Sequence, residues 1–221
     1  MPYFKAIEGR KEIDYVIREI PASLTHDWLL HKHYAKRIPS ISFAFGLYDK
    51  ENILQGVCTF GSPPSHALVV GLCGGKYTSN ILELNRLCVN DDCPKNTTSY
   101  FVSHCLKLLP KLTIVVSYAD TTQGHIGYIY QACNFLYTGL SAKRTEWAVE
   151  GLEHLHSKSL SDGETAETLK YKYGDKLFYR DRPQKHRYVY ITGDKRTLEY
   201  KEIINSLKYT ILPPQRCNNA L

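Results

Sequence analysis

The chain has 221 residues, 43% of them hydrophobic, with a formal net charge of +6 and a pI near 8.8. That length suits one domain with a well-buried core, and no apolar run approaches the roughly 18 residues of a membrane span, so a soluble protein is expected. Seven cysteines, several inside apolar runs, and an amino terminus carrying Lys5, Glu8 and Arg10 where a signal peptide needs an apolar core predict a reducing compartment.

In chain order, "IDYVIREI" alternates as a strand. "SLTHDWLLHKHYAKR" places a Ser before apolar residues at helical spacing and stops short of Pro39, predicting a helix. "SFAFGLYDKENILQGVCTFG" reads as a hairpin about a polar turn. "LELNRLCV" is a strand, "NDDCPKN" a loop, and "TTSYFVSHCLKLL" a helix capped by Asn96 or Thr97. "LTIVVSYA" is a buried strand, "GHIGYIYQACN" a helix and "FLYTGLSAKRTEWAV" one further strand. "YVYITGDKR" returns as a strand after residues 151–187, "TLEYKEIINSLK" is a short helix, and "YTILPPQR" is an irregular tail. This order predicts a single α/β (α+β) domain over residues 1–221, a mixed central sheet flanked by helices, with 151–187 inserted before the last strand.

The second half of that insertion, from Lys170 to Arg187, holds most of the excess charge. Between Lys170 and Arg187 seven bases, Lys170, Lys172, Lys176, Arg180, Arg182, Lys185 and Arg187, face only Asp175 and Asp181, and aromatics lie between them. Bases interleaved with aromatics suit phosphate contact, although a solvated charged face reads the same way. No Cys-x-x-Cys pair exists and His104-Cys105 lies in a helical pattern, which argues against structural zinc.

"SYADTTQGHIGYIYQACNF" ends a buried strand on Asp120 and enters the next helix through two glycines. A carboxylate there stands where clefts form in open α/β sheets, though the same residue could cap the helix. Arg86 is an arginine inside an apolar strand and needs a partner, either a ligand or Glu83. His31 and His33 are two apart, so on a helix only one can aim at a given site. Tyr137 reads as core; Tyr128 and Tyr130 compete between core and site.

"HYAKRIPSISFAFGLY", "GVCTFGSP", "LELNRLCVNDDCPKNTTSYFVSHCLKLL", "SYADTTQGHIGYIYQACNFLYTG" and "KHRYVYITGDKR" together resemble the phage Mom family over roughly residues 28–213. The resemblance implies a GNAT-like (N-acetyltransferase-like) transferase that converts adenine in double-stranded DNA to its N6-carbamoylmethyl form, an anti-restriction modification made in the cytoplasm of the bacterial host. It implies catalytic roles for Asp120, His33, Tyr34 and Tyr130, with His33 as general base and Tyr34 as a stacking face. It carries roles onto Arg86 and Ser99, but Pro94–Ser99 replaces the glycine-rich turn that cradles acyl-coenzyme A, so the group donor stays open, an acetyl-CoA-like molecule among the alternatives. The helix start with Lys95, Asn96 and Ser99 suits an anionic part of it. DNA contact is expected from Lys176, Arg180, Arg182, Lys185 and Arg187. Iron held by His33, Tyr34 and Asp120 is a further expectation, as is a homodimer. A conventional N-acetyltransferase for a small amine or protein, and a non-catalytic DNA-binding module, are the competing readings.

Overall fold

The computed structural model describes residues 15–153, 155, 157–160 and 163–213. The chain runs β1 (Val16–Glu19), a 3-10 turn at Ala22–Thr25, a π-helical turn at Trp28–Lys32, β2 (Phe43–Tyr48), β3 (Leu54–Gly61), α1 (His66–Cys73), a 3-10 segment at Gly75–Asn80, β4 (Ile81–Val89) and α2 (Thr97–Leu108). It continues through β5 (Ile114–Asp120), a 3-10 turn at Thr121–Gln123, α3 (Tyr128–Ala132), β6 (Leu136–Leu140), β7 (Arg144–Val149), α4 (Ser157–Leu160) and α5 (Ala166–Tyr173). After a turn at Gly174–Lys176 come β8 (Leu177–Arg182), β9 (Lys185–Ile191) and α6 (Leu198–Ser206).

The expected domain is made of two compact units. The first comprises the chain up to Tyr118, Gly127–Gly139 and everything from Arg187 on; the second comprises Ala119–Ile126 and Leu140–His186. The sheet of the first unit has the order β1-β2-β3-β4-β5-β9-β6. β1 to β4 pair antiparallel in succession and β4 pairs parallel with β5, so the sheet is mixed, with helices around it. The late strand β9 lies between β5 and β6, and the tail folds back so that Leu212 N–H bonds Tyr137 O on the sheet edge.

One core cluster joins Leu72 and Cys73 of α1 and Tyr200 and Ile203 of α6 to Ile81, Ile114, Val116, Val189 and Ile191 of the sheet. A second gathers Trp28 and Leu29 against Ile20, Ala44, Tyr48 and Val57. Each such aliphatic or aromatic side chain contributes about 1.5–3 kcal/mol by leaving water. Phe101, Val102 and Cys105 of α2 are fully buried.

Two irregularities shape what lies beside the sheet. The β3–β4 register steps from Thr59 opposite Arg86 to Phe60 opposite Leu84, so Asn85 is a bulge. Its side chain accepts from Thr59 Oγ1 (2.6 Å) and donates to Ser40 O (2.8 Å). Segment 37–40 thereby lies so close that a Cβ on Gly61 would collide with Ser40 O. Beyond the parallel pairing of Ile81–Glu83 with Ile114–Val116, the next link is a side-chain bond from Ser117 Oγ to Leu84 O (3.0 Å).

Several elements differ from their sequence expectation. The helix expected over residues 23–37 is confined to two short turns ending at Lys32, because His33 adopts extended backbone. The strand expected over residues 135–149 is two strands, broken at Ser141–Lys143 after Gly139, whose φ is 84°. The glycine-rich helix narrows to Tyr128–Ala132. Of the tyrosines around it, Tyr137 is core while Tyr128 is exposed.

The second unit is built on an antiparallel β7–β8 ribbon, Arg144 opposite Arg182 through Val149 opposite Leu177. It also holds α5, whose Thr165 cap accepts from Thr168 N–H.

Candidate active site

The π-helical turn ends when His33 N–H bonds Trp28 O and the backbone extends, carrying the His33 ring inward. The ring is buried, stacks on Tyr34 at 4.5 Å, and accepts the Ala35 N–H on Nδ1 at 3.0 Å. Burial, and then the charge of Arg86, push its pKa down to about 4. His33 is therefore neutral at pH 7 with its proton on Nε2. A general base needs a free lone pair; with the Ala35 N–H on Nδ1, the ring is left with Nε2–H as a donor. Tyr34 keeps about half its surface exposed.

Arg86 leaves β4 next to the bulge. Its Nε donates to Arg37 O (3.3 Å) and its Nη1 to Asn85 O (2.6 Å). Burial first, and then Arg37, pull its pKa below the ordinary guanidinium value, while Tyr34 and Glu83 act in the opposite sense. Among the described residues Arg86 forms no ion pair. A half-buried cation bonded to two backbone carbonyls, beside a second arginine, favours an anionic ligand.

Tyr130 packs its ring against Phe135 and Tyr188, each at 5.3 Å. Its hydroxyl meets the Ser117 side chain, which passes its own proton to Leu84 O. Burial raises the Tyr130 pKa strongly, so the phenol stays protonated. Packing and a fixed hydroxyl are what this residue offers, in place of proton abstraction. The helix carrying it starts at Gly127, with φ 83° and a would-be Cβ 2.3 Å from the Tyr188 ring. Gly124, also at positive φ, faces open space.

In the second unit Asp120 caps the turn that follows β5. Oδ1 accepts from Thr122 N (3.0 Å) and Thr122 Oγ1 (2.7 Å), and Oδ2 meets Lys185 Nζ at 2.6 Å. Desolvation raises the Asp120 pKa, but hydrogen bonds from Lys185 and Thr122 and the Lys185 charge outweigh it, leaving the carboxyl below its usual value. Gln184 O accepts from Thr121 Oγ1 (2.6 Å) and Lys185 N donates to Ser141 Oγ (2.9 Å), fixing Lys185 against this loop.

At the start of α2, Asn96 is left-handed (φ 73°) and Ser99 Oγ donates to Asn96 O at 3.0 Å, while Lys95 and Asn96 are exposed. Of the bases expected to meet DNA, Lys176 and Arg182 are exposed. Arg180 is bonded to Glu146 (2.8 Å) and to Glu153 O (2.8 Å). Lys185 is engaged with Asp120. Arg187 is buried, donates to Thr138 Oγ1 and O, and lies 3.4 Å from the Tyr209 ring centroid. Its guanidinium is a core feature, unavailable to a phosphate at the surface.

The iron expectation does not fit these residues. No group of three His, Cys, Asp or Glu among the described residues could hold a metal ion, and His33 Nδ1 is already bonded to Ala35. Sequence reasoning missed Arg37, Asn85 and Ser117. No local signal marks them, since each acts on a residue that another strand or loop supplies.

The sequence profile of the Mom protein family matches residues 14–210. The chain belongs to the Mom protein family. Methylcarbamoylase mom of Escherichia phage Mu is 30% identical over 154 residues, covering 63% of this chain, so the chain spans 61% of the length of that curated relative. Among solved structures, Arabidopsis thaliana NAA60 in complex with acetyl-CoA covers 80% of this Mom-family chain and 98% of its own, with TM-score 0.46 and 11% identity. An N-acetyltransferase from Staphylococcus aureus Mu50 covers 80% and 98%, with TM-score 0.43 and 12% identity. No helix among the described residues is long and apolar enough to cross a membrane.

Proposed function

We propose that this Mom-family chain is a GNAT-like transferase that converts adenine in double-stranded DNA to N6-carbamoylmethyladenine, as a phage anti-restriction modification in the host cytoplasm. The observation that carries this reading is the family match over residues 14–210, joined to a phage Mu relative named as a methylcarbamoylase. Adenine's exocyclic amine is neutral and conjugated, so as N6 bonds to the new CH2 carbon, that carbon's bond to the donor breaks, the donor's leaving group departs with the electron pair, and one N6 proton must leave. Asp120 accepts that proton: Thr122 and Lys185 hold its carboxylate ionised and oriented until the attacking nitrogen becomes acidic. Arg86, with Arg37 beside it, holds the anionic part of the group donor, aided by Lys95, Asn96 and Ser99. His33 donates Nε2–H to an oxygen of the transferred group, Tyr34 offers its open face to the base, and Tyr130 fixes the wall behind them. A base inside a duplex must leave the stack to be modified, at about a few kcal/mol, which stacking and phosphate contacts offset.

Mass spectrometry of nucleosides from DNA of cells expressing the chain tests this. The expected result is modified adenine at +57 mass units (roughly, for a carbamoylmethyl group replacing hydrogen), lost in Asp120→Asn, which removes charge while keeping shape. Unmodified DNA from the wild-type chain, with acetylated amines or proteins in its place, would establish the conventional acetyltransferase. Wild-type levels of product in a folded Asp120→Asn variant would remove Asp120 from the mechanism.

A further inference from the structure

The β7–β8 ribbon carries an unfavourable pair of its own. Arg144 stands directly opposite Arg182, and strand alternation puts both on the face that bears Glu146 and Arg180. The Glu146 carboxylate there is committed: Oε1 accepts Arg180 Nε and Nη2 at 3.0 and 2.8 Å, and Oε2 stands 3.9 Å from Arg182 Nε. Two guanidinium groups thus share the one carboxylate on a face that carries three. Arg144 and its neighbour Lys143 are exposed and form no ion pair among the described residues. They line an open depression of about 520 Å³ with Thr145 and Asp181, and those two residues rise from the opposite face of the ribbon. Like charges directly opposite on paired strands destabilise the ribbon until an anion bridges them.

We propose that Arg144 and Arg182, with Lys143 beside them, form a phosphodiester clamp that holds the DNA backbone next to the nucleotide being modified. The proposal rests on DNA being the substrate. Directly opposed residues of an antiparallel pair have Cα atoms about 5 Å apart, so two guanidinium forks reach one phosphate or two neighbouring ones. Arg182 is three residues from Lys185, a span of at most about 10 Å, and Lys185 sits on Asp120 in the same compact unit. The clamp therefore holds backbone near the candidate proton acceptor. Neither Arg180, which is tied to Glu146, nor Arg187, which is buried, can take this role.

Fluorescence anisotropy with a labelled duplex at several salt concentrations tests the clamp, alongside thermal melting of the same proteins. Arg144→Gln/Arg182→Gln should lower the slope of log affinity against log salt by about 1.8, roughly 0.9 per phosphate contact. Its melting temperature should stay equal or rise, because the like-charge pair is relieved. Each single substitution should lower the slope by about half as much, which keeps the test open if the double variant fails to fold. A wild-type chain that binds DNA, with variants of unchanged slope, overturns the clamp and leaves the proposed function standing. A wild-type chain with no DNA affinity at low salt overturns both.

Discussion

At His33 a single hydrogen bond sets which ring nitrogen carries the proton. The Ala35 N–H on Nδ1 fixes the tautomer, and burial lowers the pKa from 6.5 to about 4. The sign of the consequence follows from linkage. Between pH 6.5 and 4 the unfolded chain binds a proton on this ring that the folded chain does not, so stability falls as pH drops through that window and levels off below it. A shift of that size corresponds to about 3 kcal/mol at most. His33→Asn keeps an acceptor for Ala35 and removes the titration. Its stability loss between pH 6.5 and 4, followed by chemical denaturation, should be smaller than wild type's; equal losses would show that the ring is solvated in the folded state.

At the scale of elements, what could be read from the chain was whatever has a period or a boundary of its own. The hairpin of β2 and β3 and the buried run ending on Asp120 carry alternation or continuous apolarity and fall where the sequence places them. Helix α1 was not legible: His66–Cys73 is apolar nearly all round, so no stripe distinguishes it from a connecting segment, and only the Ser65 cap marks it. The site was legible as single residues but not as pairs. Asp120 and Arg86 stand out as charges in apolar strands, yet Lys185 and Arg37 reach them from 65 and 49 positions away along the chain. The turn before α3 makes the same point about glycines. Gly127→Ala should cost several kcal/mol, about 1–2 for positive φ and about 1–3 more for driving a methyl into the Tyr188 ring. Gly124→Ala should cost only the first of these. Comparable melting temperatures for the two variants would show that Tyr188 moves aside freely.

For the whole molecule, net charge is a weaker guide than where each charge is used. The stretch from Lys170 to Arg187 looks uniform in sequence, but the fold commits Arg180 to Glu146, Lys185 to Asp120 and Arg187 to the first unit's core. The cations left for a polyanion are fewer, and they include Lys143 and Arg144, which lie outside that stretch. Arg187 is the sharpest case. Two bonds to Thr138 and the face of Tyr209 satisfy a guanidinium that is 7% exposed, so it stabilises the fold as a desolvated cation over an aromatic ring. Arg187→Met, which keeps much of the volume, should lower stability by about 1–3 kcal/mol by removing these bonds and leaving Thr138 under-satisfied. It should leave the salt dependence of DNA binding unchanged, since no phosphate contact is lost. Urea denaturation and salt-titrated binding of the same preparation decide the matter: a reduced salt slope with full stability would place this arginine at the DNA after all.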